Sequence, residues 1–276
     1  MRLPDWLHGA IDMHLHSAPD LDPRRFDDLE LAREAASAGL GGIVIKNHHF
    51  STAERAWLVS KIVPGLRVFG GLVLNETVGG LNPAAVRAAL AMGARLIWMP
   101  TRSALNHRRR RGEEGGLTVL DGDGRLRPEV EEILAHIASA RAILCTGHLS
   151  PEEALPLIVR ACELGLEKIL VTHPEWPVTQ YPLSLQKELA ARGVMFERCY
   201  NSTTHRCGHV PLETIAEAIA QVGVETTALA TDSGQPDNPP PPECMKLFAE
   251  ALRALGFDRD QLRQMMRLNP QRLLAA

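Results

Sequence analysis

In the stretch DMHLH, His14 and His16 stand one residue apart. Alternate side chains of an extended strand share a face, so both imidazoles can reach one cation. Further along, three apolar runs end in residues of the same chemical kind: His148 in CTGH, His173 in VTHPE and Asp232 in ATDSG. Imidazole with carboxylate suits zinc first, with manganese or iron as alternatives. Taken singly, each residue reads more simply as a hydrogen-bonded surface group. Together, at the ends of separate apolar runs, they read as a centre for one or two divalent ions.

The stretch GGIVIKNHHF (41–50) poses a second question, because an apolar β-branched run finishes on Lys46, Asn47, His48 and His49. A lysine desolvated at the end of a strand is disfavoured as ammonium, and the neutral amine can add CO2 to give a carbamate that bridges two cations. A free Lys46 holding an oxyanion or a substrate carboxylate, or one paired structurally with Asp12, are the other readings. By alternation His48 shares the side of Lys46, which gives it a substrate-contact or proton-transfer role, or a local loop hydrogen bond. Arg102 and His107 follow the fourth apolar run, and Glu197 and Tyr200 lie in the seventh; these four are the expected substrate contacts. Glu197 and its neighbour Arg198 cannot both point inward. In THRCGH (204–209), His205, Cys207 and His209 alternate, but loop residues over the site explain them more simply than a second metal.

What must position these residues is a regular alternation of strands and helices. The expected strands are 8–15, 41–46, 67–74, 95–100, 142–146, 168–172, 194–200 and 226–231. Between several of them lie amphipathic segments. One opens on acidic residues and stops at Gly39; others begin beside Pro83, Pro151 and Pro211, as helix termini prefer. Continuous apolar strands separated by helices imply a parallel sheet covered on both faces. Eight such units in about 250 residues predict a (β/α)8 TIM-like barrel, with an incomplete barrel or open doubly wound sheet as the alternative. In a barrel of this kind the site lies at the C-terminal strand ends, which is where every residue named above falls. LTVLDGDGRLRP (117–128) reads as a β-hairpin inserted after the fourth strand, and QPDNPPPPE (235–243) as a stiff loop after the eighth. No linker or internal repeat divides the chain, so residues 1–276 read as one domain.

With these motifs in place, the chain resembles the amidohydrolase superfamily of metal-dependent hydrolases along nearly its whole length. DMHLH is similar to that superfamily's first-strand motif, TGH and THP to its fifth- and sixth-strand histidines, and TDSG to its eighth-strand aspartate. HLHSAPD, IKNHHFSTAERA, GGLNPAAV, WMPTRSALNH and THPEWPVTQ resemble an uncharacterised family within it, a domain of unknown function. The resemblance implies hydrolysis of a small amide, cyclic amide, lactone or ester by metal-activated water, with Asp232 as the proton carrier. A phosphoesterase on a similar site, or a single-metal decarboxylase, are the alternatives; the HLH motif lacks the acidic residue expected of the latter. Binuclear relatives usually bridge their metals with a fourth-strand carboxylated lysine or a glutamate. RLIWMPT has neither, which leaves Lys46 as the candidate.

Composition sets the outer limits. The chain has 276 residues, is 45% hydrophobic and carries a formal net charge of −3, which gives no general attraction to nucleic acid or anionic membrane. The basic block His107–Arg111 reads as a solvated loop or an anion-binding lid. The N-terminal stretch lacks a signal-peptide core, no run of about 18 apolar residues occurs, and the five cysteines are scattered. These features fit a soluble cytoplasmic protein acting on a small molecule, with a helical shell that could support a homo-oligomer.

Overall fold

The computed structural model describes residues 2–275. Its strands are β1 (Ile11–Leu15), β2 (Gly42–Ile45), β3 (Arg67–Phe69), β4 (Gly71–Val73), β5 (Leu96–Trp98), β6 (Ile143–Cys145), β7 (Ile169–Thr172), β8 (Met195–Cys199) and β9 (Thr227–Ala230). All pairings are parallel, in the orders β1-β2-β3 and β4-β5-β6-β7-β8-β9. The expected third strand is therefore two short ones, broken at Gly70. A Cβ at Gly70 would stand 2.2 Å from the Thr52 carbonyl oxygen, so the strand breaks where the start of the preceding helix, Ala53–Ile62, presses on it.

The two ladders join at both ends. β3 runs directly into β4, and beyond β9 Asp232 N donates to His14 O (2.7 Å) while His16 N donates to Ser233 O (2.8 Å). A parallel bridge between Leu15 and Ser233 completes this seam. The result is a TIM-like (β/α)8 barrel.

Inside it lies an apolar plug. Ile11, Met13, Val44, Leu96, Trp98 and Cys145 are among its members, while Ile43, Ile45, Ile97 and Leu144 on the same strands face the helices. This alternation explains why strand β2 ends on a lysine. Val44 points inward, so Lys46, two residues on, does too, and its Nζ sits 5.6 Å from the centre of the Trp98 ring. β1 departs from strict alternation. A register irregularity between Asp12 and Leu15 moves the inward face from Met13 to His14 and His16.

The helices start and stop where local chemistry directs. Asp28–Ala38 carries a capping box from Asp27 and Glu30 and ends at left-handed Gly39, and Pro83 and Pro151 open their helices. Two expectations need correction. The basic block is not a loop, because Leu105–Arg110 is helical and turns His107 inward to burial. Nor is the proline-rich stretch all loop: Pro241 opens the helix Pro241–Ala254, where a missing amide hydrogen costs nothing. The insertion at 117–128 forms only one antiparallel bridge, Leu120 with Leu126, around a turn closed by Asp121. No helix among the described residues is long and apolar enough to cross a membrane, and the five cysteines are free.

Gly234 holds the seam. Its φ is +128°, and a Cβ there would lie 1.9 Å from the His16 carbonyl oxygen, a rigid backbone atom. Gly234→Ala is expected to lower stability by at least about 2 kcal/mol, read as a fall in urea midpoint at unchanged slope.

Candidate metal centre

Closure of the barrel brings His14, His16 and Asp232 together. Their ligand atoms lie within 4.8 Å of one another. Asp232 Oδ1 stands 3.1 Å from His14 Nε2 and 3.2 Å from His16 Nε2, with all three residues at the inner end of the seam. Asp232 is reached through a left-handed backbone (φ +51°), as is His173 (φ +31°); both leave their strands at a sharp turn. The second pair, His148 and His173, stands across the cavity with ring centres 5.1 Å apart, and His173 lies 6.2 Å from His14.

Electrostatics are set by burial and then by neighbours. Burial and Lys46 press His14 down, but the Asp232 and Glu197 carboxylates outweigh them and raise it to about 9. Burial alone would push Asp232 up, yet His14 and His16 hold it well below the usual carboxylate range. Burial holds His148 well below its ordinary value and takes His173 to about 3, so both are neutral lone-pair donors. Lys46 Nζ is 3.0 Å from His14 Nε2, a contact that needs one donor and one lone pair. Burial lowers Lys46 from its ordinary value, against the pull of Asp232 and Glu197.

This arrangement fits a divalent cation. Two imidazole nitrogens and a carboxylate oxygen converge where, without a metal, a proton must hold them together. His173 Nδ1 is buried and has no hydrogen-bond partner among the described residues. Imidazole and carboxylate are also the donors zinc takes.

The remaining expected residues divide. His48 lines the cavity, stacks on His16 at 4.9 Å, and sets its Nδ1 2.9 Å from Thr101 Oγ1. Arg102 and His107 also line the cavity, and His107 Nδ1 is 2.8 Å from His148 Nδ1. Glu197 does not meet the cavity. It is fully buried behind His14, with Oε2 3.0 Å from Nδ1, so it orients the His14 ring and faces no substrate. Arg198, one residue on, faces the helices and pairs there with Glu175 (3.1 Å) and Gln186 (2.7 Å). Tyr200 is likewise no cavity residue; its ring packs edge-on against Phe248. Of the alternating trio, only Cys207 reaches the cavity, while His205 and His209 are exposed.

The cavity itself measures about 760 Å³. Its wall includes Asp22, Arg24, Trp176 and Asn201, which the sequence did not single out. Trp176 follows His173 by three residues and stands edge-on to it at 4.8 Å, so an aromatic close behind a strand-end histidine was the available signal. Asp20, Asp22 and His49 form another cluster of metal-ligand types, but Arg24 and Arg102 already occupy its carboxylates.

Residues 9–197 match the model of a family of unknown function, DUF6282. No curated protein sequence matches the chain. Among solved structures, an amidohydrolase from Pseudomonas aeruginosa superposes with a TM-score of 0.66 at 12% identity, over 96% of this chain and 95% of that one. A lactonase from Listeria monocytogenes gives 0.65 at 14%, over 97% and 94%. A triple mutant of an organophosphorus hydrolase from Deinococcus radiodurans gives 0.63 at 16%, over 99% and 95%. At these identities the likeness establishes the barrel.

Adjacent residues of β8 should therefore separate cleanly. Glu197→Gln is expected to weaken metal binding about tenfold, measured against a chromophoric chelator, with little change in stability. Arg198→Met should leave that affinity unchanged and cost about 3 kcal/mol in urea unfolding, because Glu175 loses its buried counter-ion.

Proposed function

The chain belongs to DUF6282, and within that family we propose that it is a metal-dependent hydrolase of the amidohydrolase type, acting on a small amide, cyclic amide, lactone or ester. The observation that carries this reading is the convergence of His14, His16 and Asp232 at the inner end of a cavity large enough for a small molecule. Those three residues, with His148 and His173 opposite, would hold one or two divalent ions, zinc by donor chemistry. Bound there, such an ion supplies Lewis acidity, which lowers the pKa of a water and polarises the bond under attack.

The chain's own groups supply the rest. Asp232 is the proton carrier: its carboxylate faces the site, with Oδ2 3.4 Å from Asn201 Nδ2, and passes a proton from the attacking water to the leaving group. His48 is a neutral donor, held well below its ordinary pKa by burial. Its tautomer follows from its partners. Asn75 Nδ2 donates to Thr101 Oγ1 (2.7 Å), which leaves the single Thr101 proton for His48 Nδ1. The His48 proton is then on Nε2, the nitrogen turned away from Thr101, where it steadies charge developing on the substrate. Lys46 would be the bridging group: its amine would add CO2, losing one proton, to give a carbamate that could serve both ligand sets. Trp98 and the apolar plug beneath it keep water from that end.

Phosphoester hydrolysis is the second reading, favoured by the arginines around the cavity mouth. It uses the same centre and the same proton carrier.

Elemental analysis of protein purified without chelator or affinity metal tests both parts. About two ions per chain, falling to one or none in Lys46→Ala, is the expected result, with native mass spectrometry showing CO2 lost in the variant. One ion in both proteins would make Lys46 a substrate contact. No ion after supplementation would end the hydrolase reading.

A further inference from the structure

Asp22 follows β1 and Arg102 follows β5, so the two loops rise from separate parts of the ring. Their side chains nevertheless meet. Arg102 Nη1 lies 2.6 Å from Asp22 Oδ2, and the two are 43% and 33% exposed. Both line the cavity, as do Arg24 and His48.

Arg24 is held differently. Its side chain is only 3% exposed, and Nε and Nη2 both lie 2.8 Å from Asp20 Oδ2. Nη2 also approaches Asp22 Oδ2 at 3.5 Å. One oxygen of Asp22 thus serves two guanidiniums, although Arg24 already has a closer carboxylate of its own. The other mouth arginines have separate partners: Arg111 pairs with Glu113 and Arg206 with Asp237. Arg102 is the one whose partner oxygen also serves a second guanidinium.

A guanidinium presents five donors in a planar fork and binds a carboxylate or phosphoryl group best through two of them. A single-oxygen contact at a half-open mouth leaves most of that capacity unused. Charge points the same way. Four guanidiniums and four carboxylates line the cavity, so a divalent cation added to them leaves the pocket positive. A pocket of that charge draws in an anion.

We propose that Asp22 is a place-holder and that Arg102 receives, in its stead, an anionic group of the substrate, carboxylate or phosphoryl, with Arg24 adding fixed positive charge beside it. The substrate is then a small anion whose charged end sits at the mouth while its hydrolysable bond reaches His14, His16 and Asp232. This assignment rests on the hydrolase reading for the bond that is cut, and not for the binding of the anion.

The test is calorimetric titration of the full chain, as purified and again after zinc addition, with succinate and with inorganic phosphate at fixed ionic strength. Arg102→Gln should weaken the better anion at least about tenfold. Asp22→Asn should tighten it about threefold, because a competing carboxylate is gone while Asp20 still holds Arg24. Preference for succinate identifies a carboxylate, and preference for phosphate a phosphoryl group. Equal affinities in wild type and both variants would mean that the anion sits on the metal alone and would overturn the assignment. So would weaker binding in Asp22→Asn, or no heat with either anion. The expected pattern in a chain that takes up no zinc would uphold the anion site while ending the hydrolase reading. Zinc uptake without the pattern would do the reverse.

Discussion

Two backbone hydrogen bonds, Asp232 N to His14 O and His16 N to Ser233 O, close the barrel and set the centre in one step. Neighbouring strands stand about 4.8 Å apart. Side chains leaving the ends of two such strands toward one side must converge, and here they are two imidazoles and a carboxylate. The centre therefore depends on the seam rather than on any long loop. One layer below, Asp12 accepts from Thr231 N (3.0 Å), Thr231 Oγ1 (2.5 Å) and His14 N (3.3 Å), tying the same two strands. Burial pushes its carboxyl up to about 7 even against those bonds, a measure of how dry the seam is.

That dryness decides how charge is arranged. An isolated ion in such a place is too costly to keep, so charged groups must touch one another. Glu197, His14 and Lys46 form a contact chain of 3.0 Å steps, with Asp232 beside His14. Carboxylates flank the imidazole on both sides and the amine closes the set over Trp98. Each group is held in place chiefly because its neighbour needs it. A divalent cation entering this set would displace a proton and so add one net positive charge rather than two, which is why the same residues can be buried before a metal arrives and ordered once it does.

Much of this was legible in the sequence because strand alternation is a strong rule where both faces are buried. Val44 fixes Lys46, and Ala228 and Ala230 fix Asp232, by counting in twos. Where alternation breaks, reading was harder. The register shift in β1 escaped notice because the HxH spacing survives it. The split at Gly70 was hidden in RVFGGLVL, whose composition is that of an unbroken strand. The choice between Glu197 and Arg198 turned on Glu175 and Gln186, which lie far from β8 in sequence and wait on its outer side. Helical periodicity, applied to His107 through Arg111, would have turned one end of the basic block inward; its charge suggested solvent instead.

The mouth obeys a different logic from the seam. A barrel of this kind supports many chemistries on one frame, because loops can vary without disturbing the strands. In this chain the loop residues that reach the cavity are charged in pairs: Arg24 with Asp20, Arg111 with Glu113, Arg206 with Asp237. Pairing keeps such a mouth from repelling itself, and it fixes long side chains that would otherwise lose their order. Arg102 and Asp22 break the pattern by meeting through an oxygen that a second guanidinium already approaches. A contact of that kind adds little stability at such exposure. Its interest lies in what it can release, since a partly exposed guanidinium held through one shared oxygen can exchange that contact for an incoming anion.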